Sequence, residues 1–206
     1  MNELGEKIVL VTGAGRGIGK AIALAFAAEK CRVAITGRTR AALDEVVAAA
    51  GALGSEIIAE TCDVTEKPKV ESLREKIEKR FGAVQILVNN VGMAPAADFL
   101  EMFDDLWDEV MRDNVDSAYH CCKVFLAPMI AARWGRIINI ASSVARVAYP
   151  GISAYASSKH ALLGLTRSLA AETARLGVTV NAVCPGYVNT DLTGENARRL
   201  AEKRGQ

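Results

Sequence analysis

Residues that commonly hold metals are scarce in this sequence. It has two histidines, His120 and His160, and five cysteines, Cys31, Cys62, Cys121, Cys122 and Cys184, none of them in a C-x-x-C pair. No ligand spacing links the two residue types, so no metal site is expected. An odd number of cysteines also gives no disulfide framework, and the thiols are expected to be free and mostly buried, in a reducing compartment. No uninterrupted apolar run approaches the roughly 18 residues of a membrane-spanning helix. The first residues, Met1 to Lys7, lack the basic and apolar regions of a secretion signal, which predicts a cytoplasmic protein. A net charge of +1 provides no general attraction to nucleic acid or to an anionic membrane. The pairs Arg198-Arg199 and Lys203-Arg204 read as the wet face of a terminal helix. No linker, internal repeat or low-complexity segment interrupts the chain.

What is present suits one well-packed domain. Of the 206 residues, 50% are hydrophobic and 24% charged, with a mean hydropathy of +0.16, enough to bury a full core over residues 1–206.

Ile8 to Thr12 is a short apolar run that ends in Gly13-Ala14-Gly15-Arg16-Gly17-Ile18-Gly19, and Lys20 to Lys30 has helical composition without proline. Between a strand and a helix, such glycines let the backbone approach a pyrophosphate, and the helix N-terminus offers free N–H groups and a positive dipole. Gly13, Arg16, Gly17, Ile18 and Gly19 are therefore candidates to bind a dinucleotide. Cys31 to Thr36 reads as a second strand, closing a βαβ unit. At its end stands Arg38, where sites for NAD usually place an acidic residue against the ribose 2′-hydroxyl. Two guanidinium groups, Arg16 and Arg38, suit a 2′-phosphate, hence NADP, with NAD as the alternative.

Further on, the pattern predicts a helix over Ala41 to Ala52, a strand over Glu56 to Cys62 with Asp63-Val64 as the following turn, and a helix over Glu66 to Phe81. Val84 to Val88 reads as a strand, Phe99 to Val110 and Val115 to Arg133 as helices with Asn114 opening the second, and Arg136 to Ile140 as a strand before Ala141-Ser142-Ser143. A helix carrying Tyr155 is expected to run to about Leu176, with Gly177 as its stop and Val178 to Val183 as a sixth strand. Strands that are apolar runs, alternating with helices, indicate a parallel sheet covered on both faces.

Tyr155 and Lys159 lie one helical turn apart on the same face. On its own the pair also fits an amphipathic helix with a surface lysine. If they meet, an ammonium about 4 Å from a phenol contributes roughly 4 kcal/mol at an effective dielectric near 20, about three pKa units. The expectation is a phenol drawn toward neutrality, able to act as a general acid or base.

Taken in order, Thr12-Gly13-x-x-x-Gly17-x-Gly19, Asn89-Asn90-Val91-Gly92, Asn114, Ser142, Tyr155-x-x-x-Lys159 and Pro185-Gly186 resemble the motif set of the short-chain dehydrogenase/reductase family, over Ile8 to Leu192. The separations are 28 residues from Asn114 to Ser142, 13 from Ser142 to Tyr155 and four from Tyr155 to Lys159. The resemblance implies a Rossmann-like three-layer α/β/α fold with a doubly wound parallel sheet. It further implies that Tyr155 passes a proton to a substrate carbonyl, Lys159 lowers the phenol pKa and binds the nicotinamide ribose, Ser142 binds the carbonyl oxygen, and Asn114 holds a water linking Lys159 to solvent. By the same resemblance Asp63 and Val64 contact adenine, Asn90 the adenosine ribose, and Pro185, Gly186, Val188 and Thr190 the nicotinamide. Val91 stands where the family usually has alanine, and Gln85 where aspartate is common.

Relatives of this kind usually continue into a further helix and a seventh strand, so the C-terminal end reads as truncated. Within the family the chain is most like 3-oxoacyl thioester reductases, for acyl-carrier-protein or coenzyme A substrates. That implies NADP(H)-dependent reduction of a 3-oxoacyl-type ketone to a secondary alcohol. The alternatives are an NAD-dependent hydroxyacyl-CoA or small secondary-alcohol dehydrogenase, and a catalytically silent nucleotide-binding relative. Val144, Tyr149, Met93 and the segment after Tyr187 would wall the substrate site. Arg133 and Arg175 are candidates to meet a carrier protein, whereas Leu176 stands where a second basic residue is expected, which favours coenzyme A or small ketones. A homodimer or homotetramer is implied through the helices around Val115–Arg133 and Tyr155–Leu176.

Overall fold

The apolar runs form six strands, β1 (Ile8–Thr12), β2 (Arg32–Gly37), β3 (Ile57–Thr61), β4 (Ile86–Asn89), β5 (Gly135–Ile140) and β6 (Val178–Val183). The computed structural model describes residues 4–51 and 57–188. The strands pair in parallel in the order β3-β2-β1-β4-β5-β6. Parallel neighbours need crossovers, supplied by α1 (Gly17–Ala28), α2 (Arg40–Gly51), α3 (Lys67–Arg80), α4 (Asp104–Met111), α5 (Ser117–Ala131) and α6 (Ser153–Thr173).

Side-chain alternation along β1 shows why the sheet is covered twice. Val9 and Val11 join Ala23, Leu43, Val46 and Val88 in one buried cluster. Leu10 points the other way, into a cluster with Leu73, Ile77, Leu87, Phe125, Met129 and Ile137. Both faces of the central strands β1, β2 and β4 are thus dry, whereas the edge strand β6 alternates buried and exposed residues, with Thr179 and Asn181 on its exposed side. The chain reverses direction across the sheet between β1 and β4, so the turns leaving these two strands diverge and leave a crevice at their C-terminal ends. At the opposite end of the sheet, the Gln85 Oε1 accepts the Ile8 N–H (3.2 Å).

Three helical expectations need correction. Phe99 to Val110 is not one helix: Phe99–Glu101 is a 3₁₀ turn and α4 begins at Asp104. Phe99, Leu100 and Phe103 are 69%, 95% and 81% exposed, so no core holds that end in helical phase. Asn114 does not open a separate helix either. It lies in a π-helical turn, Arg112–Asp116, that joins α4 to α5 without a break. The helix carrying Tyr155 ends at Thr173 rather than Leu176, and Gly177 (φ +80°) then packs against the Arg133 carbonyl, where any side chain would overlap.

Beneath the crevice runs a buried amide chain. Asn89 Nδ2 donates to Asn139 Oδ1 (2.8 Å), Asn139 Nδ2 to Thr166 Oγ1 (2.9 Å) and Thr166 Oγ1 to the Leu162 carbonyl (2.7 Å). It ties β4 and β5 to the helix that carries Tyr155. Replacing Asn139, which is fully buried, with alanine leaves a cavity and leaves the Asn89 amide only the weak Cys122 sulfur (3.4 Å) to donate to, so Asn139→Ala is expected to lower stability by about 2–4 kcal/mol in denaturant unfolding. A loss below about 1 kcal/mol would mean that water repairs the chain.

Candidate active site

Three turns at the C-terminal ends of the strands build the cleft. The first is Gly13–Gly19. Gly17 adopts φ +55°, a left-handed conformation that favours glycine. A Cβ on Gly19 would collide with the Gly13 carbonyl and the Asn90 amide. Asn90 fixes this loop: its Nδ2 donates to the Thr12 (3.2 Å) and Gly13 (3.0 Å) carbonyls, and its N–H to Thr12 Oγ1 (3.0 Å). Arg16 is the N-cap of α1, and no side chain caps that helix. Gly13, Arg16, Gly17 and Ile18 border the cleft, so the first-turn amides of α1 stand against it with a positive dipole. This cradle suits a pyrophosphate, and the residues present fit a dinucleotide.

The second turn lies at the ends of β2 and β3, where Gly37, Arg38, Cys62, Asp63, Val64 and Thr65 form one end of the cleft. Asp63 Oδ1 accepts both the Thr65 N–H (3.0 Å) and its hydroxyl (2.7 Å). Burial pushes the Asp63 carboxyl up, but these hydrogen bonds, with Arg38 and Lys69 nearby, outweigh it and hold the carboxyl below its ordinary value. Arg38 Nη1 approaches Asp113 Oδ2 at 3.7 Å, with the Arg38 side chain 68% exposed and that of Asp113 only 6%.

The third group sits at the other end, where Tyr155 and Lys159 border the cleft beside Ile140 and Ala141. Lys159 is buried, and its Nζ donates to the Ile140 carbonyl (3.0 Å). Removal from water pushes its ammonium pKa down to about 8, against an opposing pull from Cys184. The Lys159 Nζ lies 5.8 Å from the centre of the Tyr155 ring. Ser142 accepts the Val144 N–H (3.3 Å) and hydrogen-bonds Tyr155. The expected fall in the phenol pKa is not found: burial pushes Tyr155 up, and the Ser142 hydrogen bond offsets only part of that. Desolvation of the phenolate, which the four-residue spacing does not reveal, decides the direction.

Asn114 lies behind this group, fully buried. Its Oδ1 accepts the Met93 N–H (2.7 Å), and its Nδ2 donates to the Met93 carbonyl (2.9 Å) and to Ser158 Oγ (2.8 Å). A Cβ on Gly92 would meet both Asn114 Oδ1 (2.6 Å) and Lys159 Nζ (3.3 Å), which places the amide close to the ammonium. Pro185, Gly186 and Val188 follow β6 outside the cleft's border, with the Pro185 carbonyl accepting the Ser143 N–H (2.8 Å). Thr190 lies outside the described residues. Of the expected substrate wall, Met93 borders the cleft, Val144 is buried and Tyr149 is 54% exposed. Arg133 and Arg175 precede β5 and β6, at the far end of strands roughly 20 Å long, so within this chain they do not face Tyr155.

Residues 7–201 match the family model for short chain dehydrogenases. The chain belongs to that family. This short-chain dehydrogenase is 39% identical over 187 residues to the 3-oxoacyl-(acyl-carrier-protein) reductase FabG of Haemophilus influenzae, covering 91% of this chain and 76% of the relative. It is 36% identical over 208 aligned positions to the D-beta-hydroxybutyrate dehydrogenase of Rhizobium meliloti, covering 97% and 78%. Among solved structures, an actinorhodin polyketide ketoreductase variant crystallised with NADPH superposes with a TM-score of 0.94 at 34% identity, covering 98% of this chain and 78% of that one. The protein is therefore an NAD(P)-dependent oxidoreductase of the Rossmann-like short-chain dehydrogenase fold.

Sequence reasoning passed over two members of this short-chain dehydrogenase's site. Ser158 sits inside the Tyr155 stretch but becomes visible only as the Asn114 partner. Asp113, which borders the cleft, is a lone acidic residue beside Asn114, with no pattern to mark it.

The buried ammonium has a pH signature. The Lys159 pKa is about 8 in the folded protein against an ordinary 10.5, so between those values the unfolded chain binds more protons and stability rises with pH. Lys159→Met removes the titrating group. Wild type is expected to gain about 3 kcal/mol on that variant as pH rises from about 7 to 10.5, read from paired denaturant midpoints. A constant difference across that range would contradict a desolvated ammonium.

Proposed function

We propose that this short-chain dehydrogenase reduces a ketone of the 3-oxoacyl thioester type to a secondary alcohol with NADPH. The observation that carries the reading is Tyr155 and Lys159 at one end of a cleft, with Ser142 hydrogen-bonded to Tyr155, the Arg38 and Asp63 turn at the other end and the glycine turn between them. A bound nicotinamide dinucleotide supplies the hydride. The first turn of α1 and Gly13 would hold its pyrophosphate, with Asp63 and Val64 at the adenine. Arg16 and Arg38 would take the 2′-phosphate, while Pro185, Gly186 and Val188 would meet the nicotinamide, a role also carried over to Thr190, outside the described residues.

Burial that keeps Tyr155 protonated at neutral pH suits a proton donor. As the carbonyl oxygen gains charge, Ser142 donates a hydrogen bond to it and Tyr155 gives it a proton. The Lys159 ammonium stabilises the phenolate left behind. Such donors are most effective when fixed in place beforehand, and Asn114, tied to Met93 and Ser158, fixes the wall behind Lys159.

The same centre run in reverse would oxidise a hydroxyacid or its thioester with NAD, a reading favoured by the likeness to a D-beta-hydroxybutyrate dehydrogenase. A silent nucleotide-binding role fits the intact Asn114, Ser142, Tyr155 and Lys159 set less well. Free buried thiols support a reducing, cytoplasmic setting, and among the described residues no helix is long and apolar enough to cross a membrane. Two or four copies would pair through the outer faces of α5 and α6.

Tyr155→Phe is expected to lower kcat for NADPH-dependent ketone reduction by about 10²–10⁴-fold while leaving the Kd for NADPH unchanged. Turnover equal to wild type would end the proton-donor assignment. Assays with acyl-CoA, acyl-carrier-protein and simple ketones separate the thioester reading from a small-alcohol one. Arg38→Asp is expected to weaken NADPH at least about tenfold more than NADH, and equal losses would remove the 2′-phosphate assignment.

A further inference from the structure

We infer that Asp113 sets the balance between phosphorylated and unphosphorylated adenosine cofactors by acting as a counterweight on Arg38. Its role rests on the reading of Arg38 as the 2′-phosphate group. The two residues come from opposite sides of the crevice: Arg38 from the turn after β2, Asp113 from the π turn between α4 and α5. Both border the cleft. The Arg38 Nη1 reaches within 3.7 Å of Asp113 Oδ2, and the other carboxylate oxygen lies 3.8 Å from Arg112 Nε.

Both distances are charge contacts beyond hydrogen-bond length. Among the described residues neither Asp113 carboxylate oxygen accepts a hydrogen bond, although its side chain is only 6% exposed. A buried carboxylate without donors depends on the field of nearby cations. Burial pushes the Asp113 carboxyl up, Arg38 and Arg112 pull it down, and Glu109 and Asp63 oppose them. Arg38, although 68% exposed, therefore stands in the field of two carboxylates, Asp63 and Asp113.

The consequence differs between the cofactors. A 2′-phosphate brought to Arg38 competes with Asp113 for the same guanidinium and meets its negative charge. A 2′-hydroxyl has no charge to repel and is itself a donor. Asp113 thus subtracts from binding of the phosphorylated cofactor and leaves the other largely untouched, so discrimination is smaller than Arg38 alone would give.

A double-mutant cycle on the full chain tests this: wild type, Asp113→Asn, Arg38→Ala and the double variant, titrated calorimetrically with NADPH, NADH, 2′,5′-ADP and 5′-AMP. Asp113→Asn is expected to tighten NADPH and 2′,5′-ADP by about threefold to tenfold and to change NADH and 5′-AMP by less than about twofold. That gain should vanish when Arg38 is alanine. A weaker NADPH complex, an equal change in both cofactors, or a gain that survives loss of Arg38 would overturn the inference. If Arg38→Ala leaves the NADPH-to-NADH ratio unchanged, the 2′-phosphate reading falls and the inference with it. If the ratio drops but Asp113→Asn has no effect, the inference falls alone. Thermal midpoints confirm folding, and Asp113→Thr serves the same cycle if the asparagine variant does not fold.

Discussion

The Lys159 ammonium sits out of water at the C-terminal edge of the sheet, held by the last carbonyl of β5. Most of the site's geometry follows from accommodating that one buried cation. Its acceptor exists because β5 ends at Ile140. Its neighbour Tyr155 is placed by the same helix, and Gly92 must remain without a side chain because Lys159 and Asn114 occupy the space where one would go. A cation kept dry in this way loses part of its hold on the proton, which brings its pKa down to about 8.

The cleft is electrically asymmetric. One end holds a buried ammonium, a half-buried phenol and a buried hydroxyl. The other holds exposed guanidinium groups facing partly or wholly buried carboxylates. The uncapped N-terminus of α1 stands between them. An elongated ligand with a neutral reacting head and an anionic middle matches this order, and it matches only in one direction along the cleft.

Much of this was legible in the sequence because it rests on local patterns. The strand Val178–Val183 has the same bounds in sequence and structure, since an apolar run ended by glycine and proline turns needs no distant information. The glycine turn and the Tyr155–Lys159 spacing are local too. What the sequence concealed is what depends on distant partners. Asn114 finds its hydrogen bonds 21 residues earlier at Met93 and 44 later at Ser158. Asp113 meets Arg38 from another crossover. The charges of Arg133 and Arg175 are visible in the sequence, but their position at the opposite end of the strands from Tyr155 is not. The upward direction of the Tyr155 shift is likewise hidden, because the pair's spacing says nothing about how deeply the phenol is buried.

The π turn at Arg112–Asp116 makes residue number itself a part of the site. An α-helix turns by about 100° per residue, and a π turn takes in one residue more than an α turn. α4 and α5 are therefore two lengths of one rod cut to different angular settings. Removing a single residue between Met111 and Ser117 would shift the phase of α4 against α5 and swing Asn114 away from Met93 and Ser158. Insertions and deletions that most helices absorb at their ends are not neutral here, because this helix measures angle as well as length.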